Sequence, residues 1–265
     1  MNDQNQINIR PIGFLKSPFI EKFGIPRRPG LIDGLKGVIE LTKEYSKSGV
    51  EKGLKHFSHI WVLFYFHQYA NKFKWSPTVR PPRLGGNKRM GVFATRSPQR
   101  PNFTGLSAVK LEYVERVNGI VRIHISGIDM MDKTPVLDIK PYLKDSDAII
   151  DASDGWFENI VEKKNYLEVS ISDTAKDGLL DNDIKSREDF FKLLKEVIAQ
   201  DPRPSYYRSN PKDHQKESFK FSFMGHDICF VMNGPNKAHV MEIIKLNPTD
   251  IAINHNKKTD GYPVL

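Results

Sequence analysis

The densest run of chemistry-bearing residues is Arg80 to Asn102, which reads RPPRLGGNKRMGVFATRSPQRPN. It carries Arg80, Arg83, Lys88, Arg89, Arg96 and Arg100 and no acidic residue. Arginine offers a planar fork of donors that matches phosphate or carboxylate, and glycine lets a backbone approach a ligand closely. Such a run is either a solvated basic loop or an anion-binding arm. The short apolar stretch inside it, Met90 to Thr95, argues for the arm, because it pins both flanks to a core. A second basic loop, Ile25-Pro26-Arg27-Arg28-Pro29-Gly30, is stiffened by proline and opened by glycine. As a motif it is weak, and a plain surface turn is the commoner reading of such a segment.

Other polar residues follow apolar strands. His67 and Gln68 come directly after Ile60 to Phe66, either at a cavity mouth or as a satisfied pair at a strand end. Asp129 and Asp132 flank Met130 and Met131 after another strand, placed to bind hydroxyl or amino groups or simply to turn the chain. Near the C-terminus, Asp201 to Lys212 interleaves Arg203, Tyr206, Tyr207 and Arg208. That mixture can stack an unpaired base while holding phosphates, or anchor the loop to its own domain. The sequence has no dinucleotide fingerprint, P-loop, G-x-S-x-G elbow or H-E-x-x-H metal motif, and no metal is expected.

These residues need a scaffold, and hydropathy supplies one. Strands are expected over Val38 to Tyr45, Ile60 to Phe66, Met90 to Thr95, Ser107 to Val117, Ile120 to Ile128 and Val136 to Ile139. IWVLFYF is apolar on both faces, so it is expected to be buried on both sides. In Ile120 to Ile128, Val121, Ile123 and Ile125 face one way and Arg122, His124 and Ser126 the other. Many short strands with Gly/Pro-rich connections suggest a small β-barrel in a mainly β chain. Asp145 to Asp154 is a plausible linker. Beyond it come a strand over Tyr166 to Ile171 and a helix over Arg187 to Ala199, with Ser186 as N-cap. A hairpin turning at Met224-Gly225-His226-Asp227 and a strand over Ala238 to Leu246 complete a small α+β domain. We expect a barrel domain over 7–158, an α+β domain over 159–250 and a flexible tail over 251–265.

Composition narrows the function classes. A net charge of +8 favours a polyanionic partner. The single cysteine, Cys229, excludes an internal disulfide framework and a cysteine-ligated zinc cluster, and suits a reducing compartment. The polar N-terminus and the lack of a bilayer-length apolar run make cytoplasm the expected location, with no membrane contact.

Taken in order, these segments resemble one family. Ile12-Gly13, Ser17-Pro18-Phe19 and Lys22-Phe23-Gly24-Ile25-Pro26-Arg27 are similar to the opening of the TrmO (YaeB/TsaA-like) tRNA methyltransferases. Phe57 to Phe64 resembles their buried strand. Arg80-Pro81-Pro82-Arg83, Gly85-Gly86-Asn87, Gly91 to Pro98, Arg100-Pro101-Asn102 and Gly105-Leu106-Ser107 resemble their longest signature. Gly127-Ile128-Asp129 and Thr134 to Tyr142 follow, and Asp201-Pro202-Arg203-Pro204 resembles their C-terminal extension. One departure stands out: the family reads Arg-Pro-Asn-Pro-Ile-Gly-Leu-Ser where this chain has Phe103-Thr104 in place of Pro-Ile.

The resemblance implies a β-barrel methyltransferase using S-adenosylmethionine, working as a homodimer on tRNA. Its substrate would be the N6-threonylcarbamoyladenosine at position 37, beside the anticodon, and its product the N6-methyl derivative. Cofactor contacts would map to Pro26, Arg27, Arg28, His67, Gln68, Arg96, Leu106, Asp129, Met130, Met131 and Asp132. Substrate tRNA would be held by Arg83, Lys88, Arg89, Arg100, Arg203, Tyr206, Tyr207 and Arg208. Asp138 and Tyr142 are candidates to accept the N6 proton. The competing readings are a non-catalytic tRNA-binding protein and a methyltransferase on another substrate.

Overall fold

The computed structural model describes residues 7–84, 86, 88–158, 166–179, 187–203 and 217–247. Six strands form a closed antiparallel barrel in the order β1-β2-β7-β6-β3-β8. They are β1 (Gly13–Lys16), β2 (Lys36–Leu41), β3 (His59–Tyr65), β6 (Thr104–Val117), β7 (Ile120–Ser126) and β8 (Pro135–Pro141). Between β3 and β6 lie the short helix α1 (His67–Ala70) and a two-stranded ladder of β4 (Thr78–Val79) and β5 (Met90–Gly91). Closure pairs every barrel strand on both sides and so removes exposed edges.

The inward residues alternate as expected. Val121, Ile123 and Ile125 are buried, as are Ile60, Val62 and Phe64 of β3. Only one face of β3 is in the core, however; Trp61, Leu63 and Tyr65 stay half-buried on the outer wall. Glycine suits position 105 of β6, because a Cβ there would clash with the tip of the buried Phe64 ring.

The expected strand over Met90 to Thr95 is mostly a turn. Only Met90–Gly91 pairs, and Val92–Ala94 closes into a 3-10 turn. The Thr95 N–H and hydroxyl both donate to the Val92 carbonyl, at 3.1 and 2.8 Å. A local hydroxyl thus replaces the ladder, as Thr side chains readily do. Strand β7 also stops short of Ile128, since Gly127 takes φ +70°. The expected linker, Asp145 to Asp154, begins inside a short helix, α2 (Lys144–Asp147), and is followed by a 3-10 turn at Gly155–Phe157. Strand β1 was too short to show a periodicity.

The second unit is a four-stranded sheet of order β10-β11-β12-β9. It comprises β9 (Glu168–Ile171), α3 (Asp173–Asp177), α4 (Arg187–Ala199), β10 (Ser218–Phe223), β11 (His226–Met232) and β12 (Lys237–Lys245). Helix α4 has the expected bounds and buries Phe190, Leu194, Val197 and Ile198; Ser186, its expected cap, lies outside the described residues. Helix α3 is capped by the Ser172 hydroxyl, which accepts from the Ala175 N–H at 3.0 Å. The hairpin turn is only Met224-Gly225, both at positive φ, while His226 and Asp227 already belong to β11.

The two units share one apolar core. Between them runs the connection from β1 to β2. Phe19 packs on Phe223 at 5.6 Å and Phe23 on Phe221 at 5.8 Å. Glu21 accepts from the Ser222 N–H at 2.7 Å, and Pro18 accepts from the Met224 N–H at 3.1 Å. The loop carrying Pro26 to Gly30 is therefore braced on one side by the barrel and on the other by the second sheet.

Candidate active site at one end of the barrel

Strand direction decides what meets what. Tyr65, Thr104, Pro135, Lys16, Lys36 and Ser126 all fall at one end of the barrel by the pairing registers. Three connections leave from that end: 17–35, 66–103 and 127–134. They carry Pro26, Arg27, Arg28, His67, Gln68, Arg96 and Asp129 to Asp132. Residues as distant in the chain as Pro26 and Asp132 thus share one mouth because antiparallel strands return their loops to the same side.

Asp129 is the centre of this mouth. The Ser107 hydroxyl of β6 donates to its Oδ1 at 2.8 Å. Burial pushes its carboxyl up to about 6, against the pull of the Ser107 hydrogen bond, its own backbone N–H and the Arg96 guanidinium. A carboxylate held this way is poised to meet a cation or a pair of hydroxyls, which would restore the solvation it lost. Arg96 is exposed and follows the Val92–Ala94 turn. That turn is rigid: Val92 is buried, its N–H donates to the Pro77 carbonyl at 3.0 Å, and Arg100 donates to the Thr95 carbonyl at 3.3 Å.

The proline-stiffened loop closes on the same mouth. The Gly30 N–H donates to the Gly127 carbonyl at 2.9 Å, and a Cβ on Gly127 would press the Gly30 backbone at 3.3 Å. This joins the arginine loop to the strand end that leads into Asp129. Arg27 donates to the Asp201 carbonyl at 2.8 Å. His67 and Gln68 begin α1, whose Tyr69 hydroxyl accepts from Lys22 at 2.8 Å, so α1 and the 17–35 connection touch.

Two family profiles match the chain: the tRNA-methyltransferase O N-terminal domain over residues 14–148 and the TrmO C-terminal domain over 164–246. The tRNA (adenine(37)-N6)-methyltransferase of Escherichia coli K12 is 43% identical over 195 residues, covering 74% of this chain and 81% of that protein. The human protein of the same description is 44% identical over 140 residues, 52% of this chain and 30% of the relative. A crystal structure of TrmO from Pseudomonas aeruginosa superposes with TM-score 0.69 at 31% identity, covering 90% of this chain and 98% of that one. The chain belongs to the tRNA-methyltransferase O family.

Within this TrmO chain not every expected site residue reaches the mouth. Leu106 is 52% exposed and points outward, since it neighbours Ser107, which points in. It aligns with Leu63 and Asp138 across β6, β3 and β8 on the outer wall. Tyr142 lies at the other end, its N–H on the His59 carbonyl and its ring 5.5 Å from Trp61. It is roughly 20 Å along the strand from the mouth of its own chain. Met130 is buried in the core, and its carbonyl accepts from the Ser17 hydroxyl at 2.8 Å. Asp132 holds the Ser17 N–H at 3.0 Å, whereas Met131 is partly exposed beside it.

The expected tRNA contacts divide similarly. Lys88 and Arg89 are exposed on the arm, with Arg89 donating to the Thr78 hydroxyl at 2.9 Å. The Arg83 side chain and Tyr206, Tyr207 and Arg208 lie outside the described residues. Arg203 does not fit an RNA-contacting role: it is 5% exposed, with its fork on Asp201 at 2.7 and 2.9 Å. A guanidinium sealed in that pair has no route to a phosphate. Sequence reasoning missed Ser107, because a lone serine in a strand carries no signal until its partner is known.

The Phe103 departure from the TrmO pattern has a backbone cause. Phe103 sits at φ +48°, donates its N–H to the Arg100 carbonyl at 3.1 Å and accepts from the Phe66 N–H at 2.7 Å. Proline is fixed near φ −65° and has no N–H. Restoring the family residue with Phe103→Pro is therefore expected to destabilise this chain by about 3 kcal/mol or more. Urea unfolding of the two proteins measures this; an equal or higher midpoint for the proline variant would refute the turn geometry.

Proposed function

We propose that this protein is an S-adenosylmethionine-dependent tRNA (adenine-N6)-methyltransferase acting at position 37, with N6-threonylcarbamoyladenosine as its substrate. The carrying observation is the meeting of Arg96, Asp129 and the Pro26–Gly30 loop at one barrel end, in a chain of the TrmO family.

The donor set suits the cofactor. A partly buried carboxylate, Asp129, complements its hydroxyl or amino groups, and Arg27, Arg28 and Arg96 complement its carboxylate. The paired glycines, Gly30 and Gly127, keep the mouth free of side chains where the loops meet. S-adenosylmethionine, when bound, supplies an electrophilic methyl group. The chain's own tasks are then to place the adenine N6 in line with it and to favour loss of the N6 proton. The N6 of the modified base belongs to a urea-like linkage, so its lone pair is delocalised and fixed charges help more than a strong base. Exposed Lys88 and Arg89, together with Arg83 and Arg100, suit the phosphates and the threonyl carboxylate.

Purified protein with S-adenosylmethionine should methylate tRNA bearing the threonylcarbamoyl group at least about tenfold faster than tRNA lacking it, the value of one charge-assisted contact. Nucleoside mass spectrometry reads the product. Equal rates on both substrates would reject the carboxylate clamp, and no methyl transfer to either would reject the function.

The homodimer belongs to the same reading. The outer face of β3, with Trp61, Leu63 and Tyr65, and the neighbouring exposed Leu106 make an apolar wall that a second copy would cover. This would also bring Leu106 and Asp138 of one copy toward a shared site, where Asp138 remains the candidate proton acceptor. Sedimentation at the monomer mass would dismiss it. The domain limits 7–158 and 159–250 and a cytoplasmic location complete the proposal; no helix among the described residues is long and apolar enough to cross a membrane.

A further inference from the structure

Asp201 has an unusual environment for a loop residue. It follows α4, its N–H donates to the Ile198 carbonyl at 2.9 Å, and its φ is +49°. Asp is among the few non-glycine residues that adopt that region readily, and here it closes the C-terminal turn of α4. Its side chain is clamped by Arg203, whose Nε and Nη2 donate to Oδ1 and Oδ2 at 2.7 and 2.9 Å. Asp201 and Arg203 are 8% and 5% exposed, and the Arg203 guanidinium lies 5.9 Å from the centre of the Phe219 ring.

A buried ion pair is a poor source of stability, because desolvation offsets most of the attraction. Its effect here is geometric. With the side chain clamped, the Asp201 carbonyl is turned toward the barrel domain, where it accepts from Arg27 Nη2 at 2.8 Å. Joining the two units does not require this bond. Phe19, Phe23, Phe221 and Phe223 already do that, with Glu21 on the Ser222 N–H.

We propose that Asp201 and Arg203 are positioning residues for Arg27, fixing the carbonyl that orients its guanidinium at the mouth of the barrel. The second domain then sets cofactor affinity through this pair. This rests on the reading that Arg27 contacts S-adenosylmethionine.

The test is calorimetric titration of the full-length protein with S-adenosylmethionine, without tRNA. Arg203→Lys keeps the charge but loses the fork. Arg27→Ala and Arg203→Lys should each weaken cofactor binding by about tenfold. The double variant should bind no more weakly than Arg27→Ala alone, because both remove one coupled contact. Filter binding of tRNA without cofactor should stay within about twofold for Arg203→Lys, and its melting curve should remain cooperative. If Arg203→Lys does not fold, Asp201→Asn takes its place in the same cycle. Undiminished cofactor affinity in the clamp variants, additive losses in the double variant, or lost tRNA affinity with intact cofactor binding would each overturn the proposal. Full cofactor affinity in Arg27→Ala would instead remove the reading beneath it, and that result is visible from this variant alone.

Discussion

Arg96→Ala is expected to lower tRNA methylation by about a thousandfold while leaving the melting temperature within about 2 °C. The two halves of that expectation have separate causes. Arg96 is exposed, so truncating it empties no core; Asp129 loses a charge partner but keeps the Ser107 hydroxyl. Its turn is held by Val92, Thr95 and Arg100, not by the Arg96 side chain. What disappears is the fixed cation beside Asp129, on an arm too rigid for a neighbour to replace it. Arg96 also pulls the Asp129 carboxyl down. Its removal should therefore move any residual acid limb of the rate profile to higher pH, because more base is then needed to ionise Asp129. Arg96→Lys tests the fork: a lysine that restores full activity would show that charge alone suffices. Wild-type activity in Arg96→Ala would end the assignment.

Asp129→Asn should separate function from stability. Activity should fall by about a hundredfold or more, since the residue loses the charge that answers the cofactor's polar groups. Stability should rise. Asp129 has its carboxyl raised to about 6 in the folded chain, against 3.8 when unfolded. Between those values the native state binds more protons than the unfolded state, so stability falls as pH rises through that window. Above about pH 6 the penalty is fully present, and below 3.8 it vanishes. Allowing for partial exposure, the penalty is roughly 1–3 kcal/mol. Asparagine avoids it while still accepting from Ser107. Denaturant melts at pH 7.5 should therefore favour the variant, with the advantage shrinking toward pH 4. A less stable variant at pH 7.5, or an advantage that grows in acid, would show that Asp129 is not strained by burial.

Much of the scaffold was legible because local rules suffice for it. Val121, Ile123 and Ile125 alternate with polar neighbours, and a half-buried strand is the only element with that period. The stripe of Phe190, Leu194, Val197 and Ile198 likewise demands a helix. Failures came where a side chain answers the backbone locally. Thr95 turned an apolar run into a 3-10 turn, and Phe103 adopts a conformation closed to proline. The apolar outer face of β3 reads as a doubly buried strand, because hydropathy alone does not say whether this chain covers both faces; here it covers one.

The linear order of residues was enough to establish an alternating, barrel-forming chain with basic, proline-stiffened loops, and its motifs were enough to reveal the kinship. It could not say that Arg203 is sealed against Asp201, that Ser107 holds Asp129, that Leu106 faces the outer wall, or that Tyr142 lies at the opposite end of the barrel. Those facts follow from strand register and barrel closure. A shift of one residue turns a side chain from the interior to the outer wall, and only long-range pairing selects between the two.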